Sequence, residues 1–492
     1  MWGRAAVCPP RHGRPCAYGT NTSSERDVLC FVCVTFGIDL TALGRGEGDD
    51  HAEQPGAFRR RAFGESGALL LERLCTVGAQ GISLDRLGGD AAGAVRLRRL
   101  LNNPRVTTVE MTATARADLL PRVAGRHILA IQDSTSLRDD GKRQSLYLHP
   151  TIAVDAADGA LLGLLSADLL ERDGTPKEHC NKRSLEEKES RRWVDATIHA
   201  ADLLAAGAIG VTMVEDREAD FYEAFACRPE RVDVVARVHH NRNLIDGSKL
   251  YEACRTQPEL GRIAVELPAT PQRKARRAIV AVRAGMVRLQ RPKRNHACDA
   301  PALPASLGLT LLEACEVDPP AEVEAVHWRL LSTHPATTLA EAARIIGFYR
   351  CRWSIEEVFR VMKTRGFDIE AVPLRHNRSL KNLACATLIA AIQIQQMLHD
   401  RDGQANRPMS DVFAPADQPL IERIGHSLEG KTERQKNPHP SSSLAQAAWV
   451  CARLGGWTGY GRKPGPIILV KGLVRLQNML EGIKRCAHVF VP

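Results

Sequence analysis

The run His127-Ile128-Leu129-Ala130-Ile131-Gln132-Asp133 carries the first decision about this chain. Residues 127–131 form a short apolar run with the look of a buried strand, and an acid follows at its end. Outward from it, residues 151–154 and 161–165 are further strand candidates, separated by a turn-like stretch over 155–159. A helical spacing then covers 185–204, with Trp193, Thr197, Ile198, Ala201 and Leu204 on one side. Residues 209–214 read as another buried strand, and Asp216 sits just past it. Strand, hairpin, helix, strand is a mixed α/β order. In open α/β sheets functional groups gather at the carboxyl ends of strands, where Asp133 and Asp216 fall.

The chain has 492 residues, too many for one ordinary domain, so two to four are expected. Hydrophobic content of 44% and charged content of 25% exclude disordered and fibrous classes. No apolar run is long enough to span a bilayer, and 28–36 lacks the marks of a signal peptide. A cytoplasmic, nucleoid-associated protein with no membrane partner is the expectation. The formal net charge of +10 points to a polyanion, and basic residues cluster at Arg59–Arg61, Arg96–Arg99, Lys182-Arg183, Arg273–Arg277 and Arg291–Arg294. The 14 cysteines follow no repeating framework and read as reduced, small core residues. A single CxxC, Cys30 and Cys33, is a weak zinc signal without a second close pair.

Farther along, residues 226–335 gain Pro, Arg and β-branched residues. Within them 278–283 and 286–289 look like strands joined by a turn at Gly285. A helical stretch follows, Tyr349-Arg350-Cys351-Arg352-Trp353-Ser354-Ile355-Glu356-Glu357, and then Lys363. At helical pitch, Tyr349, Arg352, Glu356 and Lys363 share one face, while Ile346, Ile355, Phe359 and Met362 supply a separate apolar stripe. A phenol, a guanidinium, a carboxylate and an ammonium make poor core. They suit a surface that grips a phosphate while the carboxylate holds a metal. A solvated face with one Arg352–Glu356 ion pair is the bland alternative.

Asp133, Asp216 and Glu356 fall on two strand ends and one helix face. Three converging carboxylates raise one another's pKa unless a cation joins them. Hard oxygen donors suit Mg²⁺ or Mn²⁺, and two such ions about 4 Å apart serve phosphodiester chemistry. The competing reading is that each Asp caps a turn, most serious for Asp133, which precedes Ser134-Thr135-Ser136.

These residues resemble the insertion-sequence-four family of bacterial DDE transposases, the group of the transposon-five transposase. Its signature of Tyr, two residues, Arg, three residues, Glu, six residues, Lys is met by Tyr349, Arg352, Glu356 and Lys363. The phrase from Ile128 to Ser136 is similar to the family's first Asp motif. Asp216-Arg217-Glu218-Ala219-Asp220 is similar to its second. Glu187 to Ser190, then Trp193, and Ala452 to Gly456 also resemble family segments. The resemblance implies an α/β fold with an RNase H-like catalytic core, a mixed sheet flanked by helices. It also implies a β-rich insertion and helical N-terminal and C-terminal regions.

It implies that Asp133, Asp216 and Glu356 are catalytic and hold two Mg²⁺ or Mn²⁺ ions, and that Tyr349, Arg352 and Lys363 contact phosphates. Trp328 is expected to stack on a flipped base, and Arg237 and Arg99 are weaker DNA contacts. The expected organisation is a leader or mis-assigned start over 1–45 and a helical DNA-binding domain over 46–125. The first part of the core spans 126–225, the insertion 226–335, the second part 336–400, and a C-terminal dimerisation region 401–492. The implied activity is cut-and-paste DNA transposition by a homodimer at terminal inverted repeats. An RNase H-like nuclease without strand transfer and an inactive end-binding remnant are the alternatives.

Overall fold

A computed structural model describes Leu70, Leu74, Ile82 and most residues from 84 to 490. Outside the description lie residues 1–69, 71–73, 75–81, 83, 89, 140–144, 173–184, 268–273, 293–302, 322, 364–366, 373, 375–376 and 491–492, and the side chains of 86, 139, 481 and 484–490. The expected leader, Cys30 and Cys33, Arg59–Arg61, Lys182-Arg183, Arg273 and Arg294 fall outside it.

The N-terminal helices are α1 (Leu84–Gly88), α2 (Ala91–Asn102) and α3 (Thr108–Leu119). Asp90 and Thr107 start the latter two, their side-chain oxygens accepting from the amides of Gly93 and Glu110. The next elements are β1 (His127–Gln132), β2 (Thr135–Asp139), β3 (Ser145–Asp155), β4 (Leu161–Arg172), α4 (Arg191–His199), α5 (Ala201–Ala205) and β5 (Gly210–Glu215). Then come α6 (Tyr222–Ala226), β6 (Val232–Arg237), α7 (Leu250–Thr256), β7 (Glu259–Leu267), β8 (Arg276–Gln290), β9 (Ser306–Glu316) and β10 (His327–Ser332). The chain finishes through α8 (Leu339–Cys351), α9 (Trp353–Met362), α10 (Asn377–Asp400), α11 (Gln418–Leu428), α12 (Leu444–Leu454) and α13 (Pro466–Phe490).

Ten strands make one mixed sheet in the order β2-β3-β1-β5-β6-β10-β9-β8-β7, with β4 paired to β3. Only β1–β5 and β5–β6 are parallel pairs. A mixed sheet flanked by helices is an α/β architecture consistent with an RNase H-like core. The β-rich segment is an extension of this same sheet, since β10 pairs with β6 and β9, β8 and β7 follow. The expected boundary at 226 thus falls between β5 and its parallel neighbour β6.

Three other details differ from expectation. Residues 276–290 form one strand, not two joined at Gly285; Gly285 faces Leu311 in mid-strand, where a Cβ would meet the Gln257 side chain. The helix expected over 185–204 starts at Arg191 and breaks at Ala200, and Ile198 is 44% exposed. The C-terminal region is helical as expected, but the single last helical segment expected after a polar linker at about 401–410 is divided into α11, α12 and α13.

Strand periodicity divides the core into two faces. On β1, Leu129 and Ile131 join the apolar cluster that contains α8, α9, α10, α12 and α13. Ile128 and Ala130 join the opposite cluster, with Leu203 of α5 and Tyr222 and Phe225 of α6. β5 follows suit, with Val214 on the first face and Val211 and Met213 on the second. Full burial of each Leu, Ile or Val contributes about 1.5–3 kcal/mol, so these strands are held by both layers. α10 is buried nearly all round, which is why it shows no single apolar stripe.

Candidate active site

The alternation that builds the core also aims the acids. Asp133 continues the Leu129, Ile131 series and Asp216 continues Val214, so both project toward the face covered by α8 and α9. The strand breaks at Asp133 for a local reason. Gln132 pairs with Thr151 and Thr135 with Leu148. One register continued across the gap sets Asp133 opposite Pro150, which has no N–H to give the ladder. Asp133 instead accepts from the amide of Ser134 at 2.8 Å, so a turn-capping contact and the site geometry coexist.

Helix α8 is started by a Thr338/Glu341 capping box. It runs into α9 through Arg352, whose backbone stays right-handed helical (φ −52°, ψ −31°). The amides of Arg352 and Ile355 each reach back only three residues, which tightens the turn there. Arg352 is thereby delivered between the acids, with its side chain 12% exposed. Its Nη1 donates to Asp133 Oδ2 at 2.6 Å and lies 4.0 Å from Asp216 Oδ2; its Nη2 donates to Glu356 Oε1 at 3.2 Å. Three carboxylates from β1, β5 and α9 therefore converge on one guanidinium.

Burial pushes the Asp133 carboxyl up to about 6, against the opposing pull of Arg352. Burial acts to lower the Arg352 pKa, but Asp216, Asp133 and Glu356 overcome it and hold the guanidinium above its ordinary range.

The four-residue face expected around this helix is only partly present. Tyr349 is 5% exposed and belongs to the core, because it continues the buried α8 stripe of Ala342, Ile345 and Ile346 and meets Trp328 in a T-shaped contact with ring centroids 6.2 Å apart. Burial, then the Asp216 charge, raises its pKa, while Arg237 beside it pulls the other way. Lys363 lies past the helix end and pairs with Glu370 at 2.6 Å. Trp328 is half-buried on β10, and Arg237 ends β6. Trp328, Tyr349, Arg237 and Arg352 thus form a track leading to the acids. Arg99 sits exposed on α2, in the N-terminal helices.

On the other face lies a buried polar chain that sequence reading passed over. Glu215 Oε1 accepts from Gln132 Nε2 at 2.5 Å; Gln132 Oε1 meets His149 Nε2 at 3.0 Å, and His149 Nδ1 meets the Ser134 hydroxyl at 2.9 Å. With the Gln132 amide oriented this way, Nε2–H of His149 donates and Nδ1 accepts. Burial holds Glu215 up at about 8 and His149 well below its usual value, so both are neutral near pH 7. The available signal was a polar residue immediately before each acid in an otherwise apolar strand. In the second acidic motif, Glu218 pairs with Arg192, and Asp220 is buried against Arg242 and the amides of His239 and His240.

Among the described residues no group of three His, Cys, Asp or Glu side chains stands ready to hold a metal, because Arg352 occupies the space between the acids. The donor set nevertheless fits a hard divalent cation. Asp216 Oδ1 is buried with no hydrogen-bond partner among the described residues, and the donors offered are all carboxylate oxygens. No helix of the described residues is long and apolar enough to cross a membrane. Residues 212–392, under half of the chain, match the family model of the transposase DDE domain, a segment that takes in Asp216, Tyr349, Arg352, Glu356 and Lys363 but not Asp133.

Proposed function

We propose that this chain carries out cut-and-paste DNA transposition, a finer reading of the metal-dependent DNA cleavage that the DDE family implies. The observation that carries it is the convergence of Asp133, Asp216 and Glu356, from three elements, on Arg352. In this reading the three carboxylates hold two Mg²⁺ or Mn²⁺ ions. Such ions, when bound, supply charge stabilisation and an activated oxygen nucleophile.

The chain's own residues position the strand. Arg352 offers a planar fork to a phosphate, and Lys363 a point charge once released from Glu370. Tyr349 and Arg237 line the approach, and Trp328 offers its ring to a flipped base, a stacking contact of about 1–3 kcal/mol. Hydrolysis at the transposon end frees a 3′-hydroxyl, which attacks the opposite strand to close a hairpin. A second hydrolysis opens the hairpin, and the 3′-ends join target DNA. The N-terminal helices, with Arg99, recognise the terminal inverted repeats, and the C-terminal helices pair two protomers.

Asp133→Ala, Asp216→Ala and Glu356→Ala should each abolish cleavage of DNA carrying the flanking repeats while end binding survives. Undiminished cleavage by any one removes that residue from the site. Precut ends mixed with target plasmid test rejoining: absence of joined product replaces the transposase reading with a nuclease that cuts only.

A further inference from the structure

We propose that Arg352 exchanges between the three carboxylates and a DNA phosphate, and so couples divalent-cation binding to strand binding. The inference rests on the reading of the site given above and adds to it a linkage between its two ligands.

The geometry makes two demands on the same atoms. Arg352 takes Asp133 Oδ2 at 2.6 Å and Glu356 Oε1 at 3.2 Å and lies 4.0 Å from Asp216 Oδ2. Those oxygens are the hard donors a divalent cation needs. A guanidinium and a dication cannot both hold them, because positive charges a few Å apart in a part-buried site repel strongly. Arg352 is therefore the protein's own counter-cation, keeping three clustered carboxylates ionised.

A destination for the guanidinium is also at hand. It sits at the one-residue turn between α8 and α9, on a long side chain, with Tyr349 and Arg237 alongside. A phosphate drawn to Arg237 competes with Asp133 and Glu356 for the Arg352 fork. Whichever ligand binds first pulls or pushes Arg352 off the carboxylates and favours the other, and the effect is reciprocal. A purely structural ion pair would leave the two binding events independent.

The test measures free Mn²⁺ by electron paramagnetic resonance in titrations of the full chain, with and without a short precut duplex carrying the terminal repeat. Its 3′-end is dideoxy, so that no joining occurs. For the wild-type chain, duplex should tighten Mn²⁺ binding by roughly tenfold, within the usual range of coupling. Arg352→Gln should bind Mn²⁺ about as tightly without duplex as the wild type does with it, and duplex should then add less than about twofold. Arg352→Lys, which keeps the charge but loses the fork, should fall between them and guards against a folding defect, with thermal unfolding as the check.

If folded Arg352→Gln binds Mn²⁺ no more tightly than wild type, or if duplex tightens binding equally in both, the coupling is overturned. If Asp133→Ala/Asp216→Ala binds Mn²⁺ as wild type does, the metal lies elsewhere, and the reading of the site falls with the inference.

Discussion

Each acidic strand end is held by different means on the two sides of one sheet. Asp133 and Asp216 face the helices, while the residues before them, Gln132 and Glu215, bond to each other across the β1–β5 pair. Gln132 is the joint, since it satisfies Glu215 and His149 together. Gln132→Leu leaves both buried groups short of a partner at about 1–3 kcal/mol each. It should lower the denaturant midpoint clearly, and adding His149→Leu should cost less than the sum of the single changes, because the two share one network. Additive losses would show that the chain does not act as a unit. Asp118 offers a pH test away from the acids. Burial raises its carboxyl to about 6, with Arg122 opposing. Since that lies above the free value, the folded state holds the extra proton. This contribution is present below about pH 4 and is lost as pH rises through about 6. The melting-temperature gain of Asp118→Asn over wild type should therefore grow between about pH 4 and pH 6 and then level off. A gain that shrinks with pH would refute the sign.

Among elements, the α8–α9 pair decides where the functional groups point. Its start depends on Thr338 and Glu341, whose carboxylate accepts from Thr337 and Thr338 and is held down to about 2 by those bonds. The help from Glu341 is present above its ordinary pKa and fades as pH falls toward 2. Thr338→Ala should cost about 1 kcal/mol in thermal unfolding at neutral pH. An unchanged melting temperature would mean that packing alone fixes the helix. Much of this level was legible beforehand. Short apolar runs ending in acids mark β1 and β5, and the stripe Ile346, Ile355, Phe359, Met362 is buried as spaced. The turn at Arg352 was not, because its backbone remains helical and no Pro or Gly marks it. Burial of Tyr349 was open to reading, since it lies three, four and seven residues after Ile346, Ile345 and Ala342 on the buried side of α8. β8 read as two strands because Gly285 resembles a turn, whereas its role is to admit Gln257.

At the scale of the molecule, α10 is the axis that joins the N-terminal helices to the sheet. Leu380, Leu383, Leu388, Ile394 and Met397 are buried along its length. Polar groups on the same helix fix the N-terminal helices in register. Asn382 Nδ2 donates to the carbonyls of Leu101 and Val106 at 3.0 Å each, and the Ser379 hydroxyl donates to Asn102 Oδ1 at 2.6 Å. Those carbonyls close the α2–α3 connection, which has no other regular element to order it. Removing the amide leaves two buried acceptors short of a donor, at about 1–3 kcal/mol apiece. The loss should concentrate where few other contacts hold the chain. Asn382→Ala should therefore speed amide hydrogen exchange across residues 91–119 while β1 and β5 keep their protection. In the proposed function it should weaken terminal-repeat binding more than it slows cleavage of bound ends. Exchange rising equally in the strands would mean that the N-terminal helices and the sheet unfold as one unit, with α10 transmitting stability and not merely position.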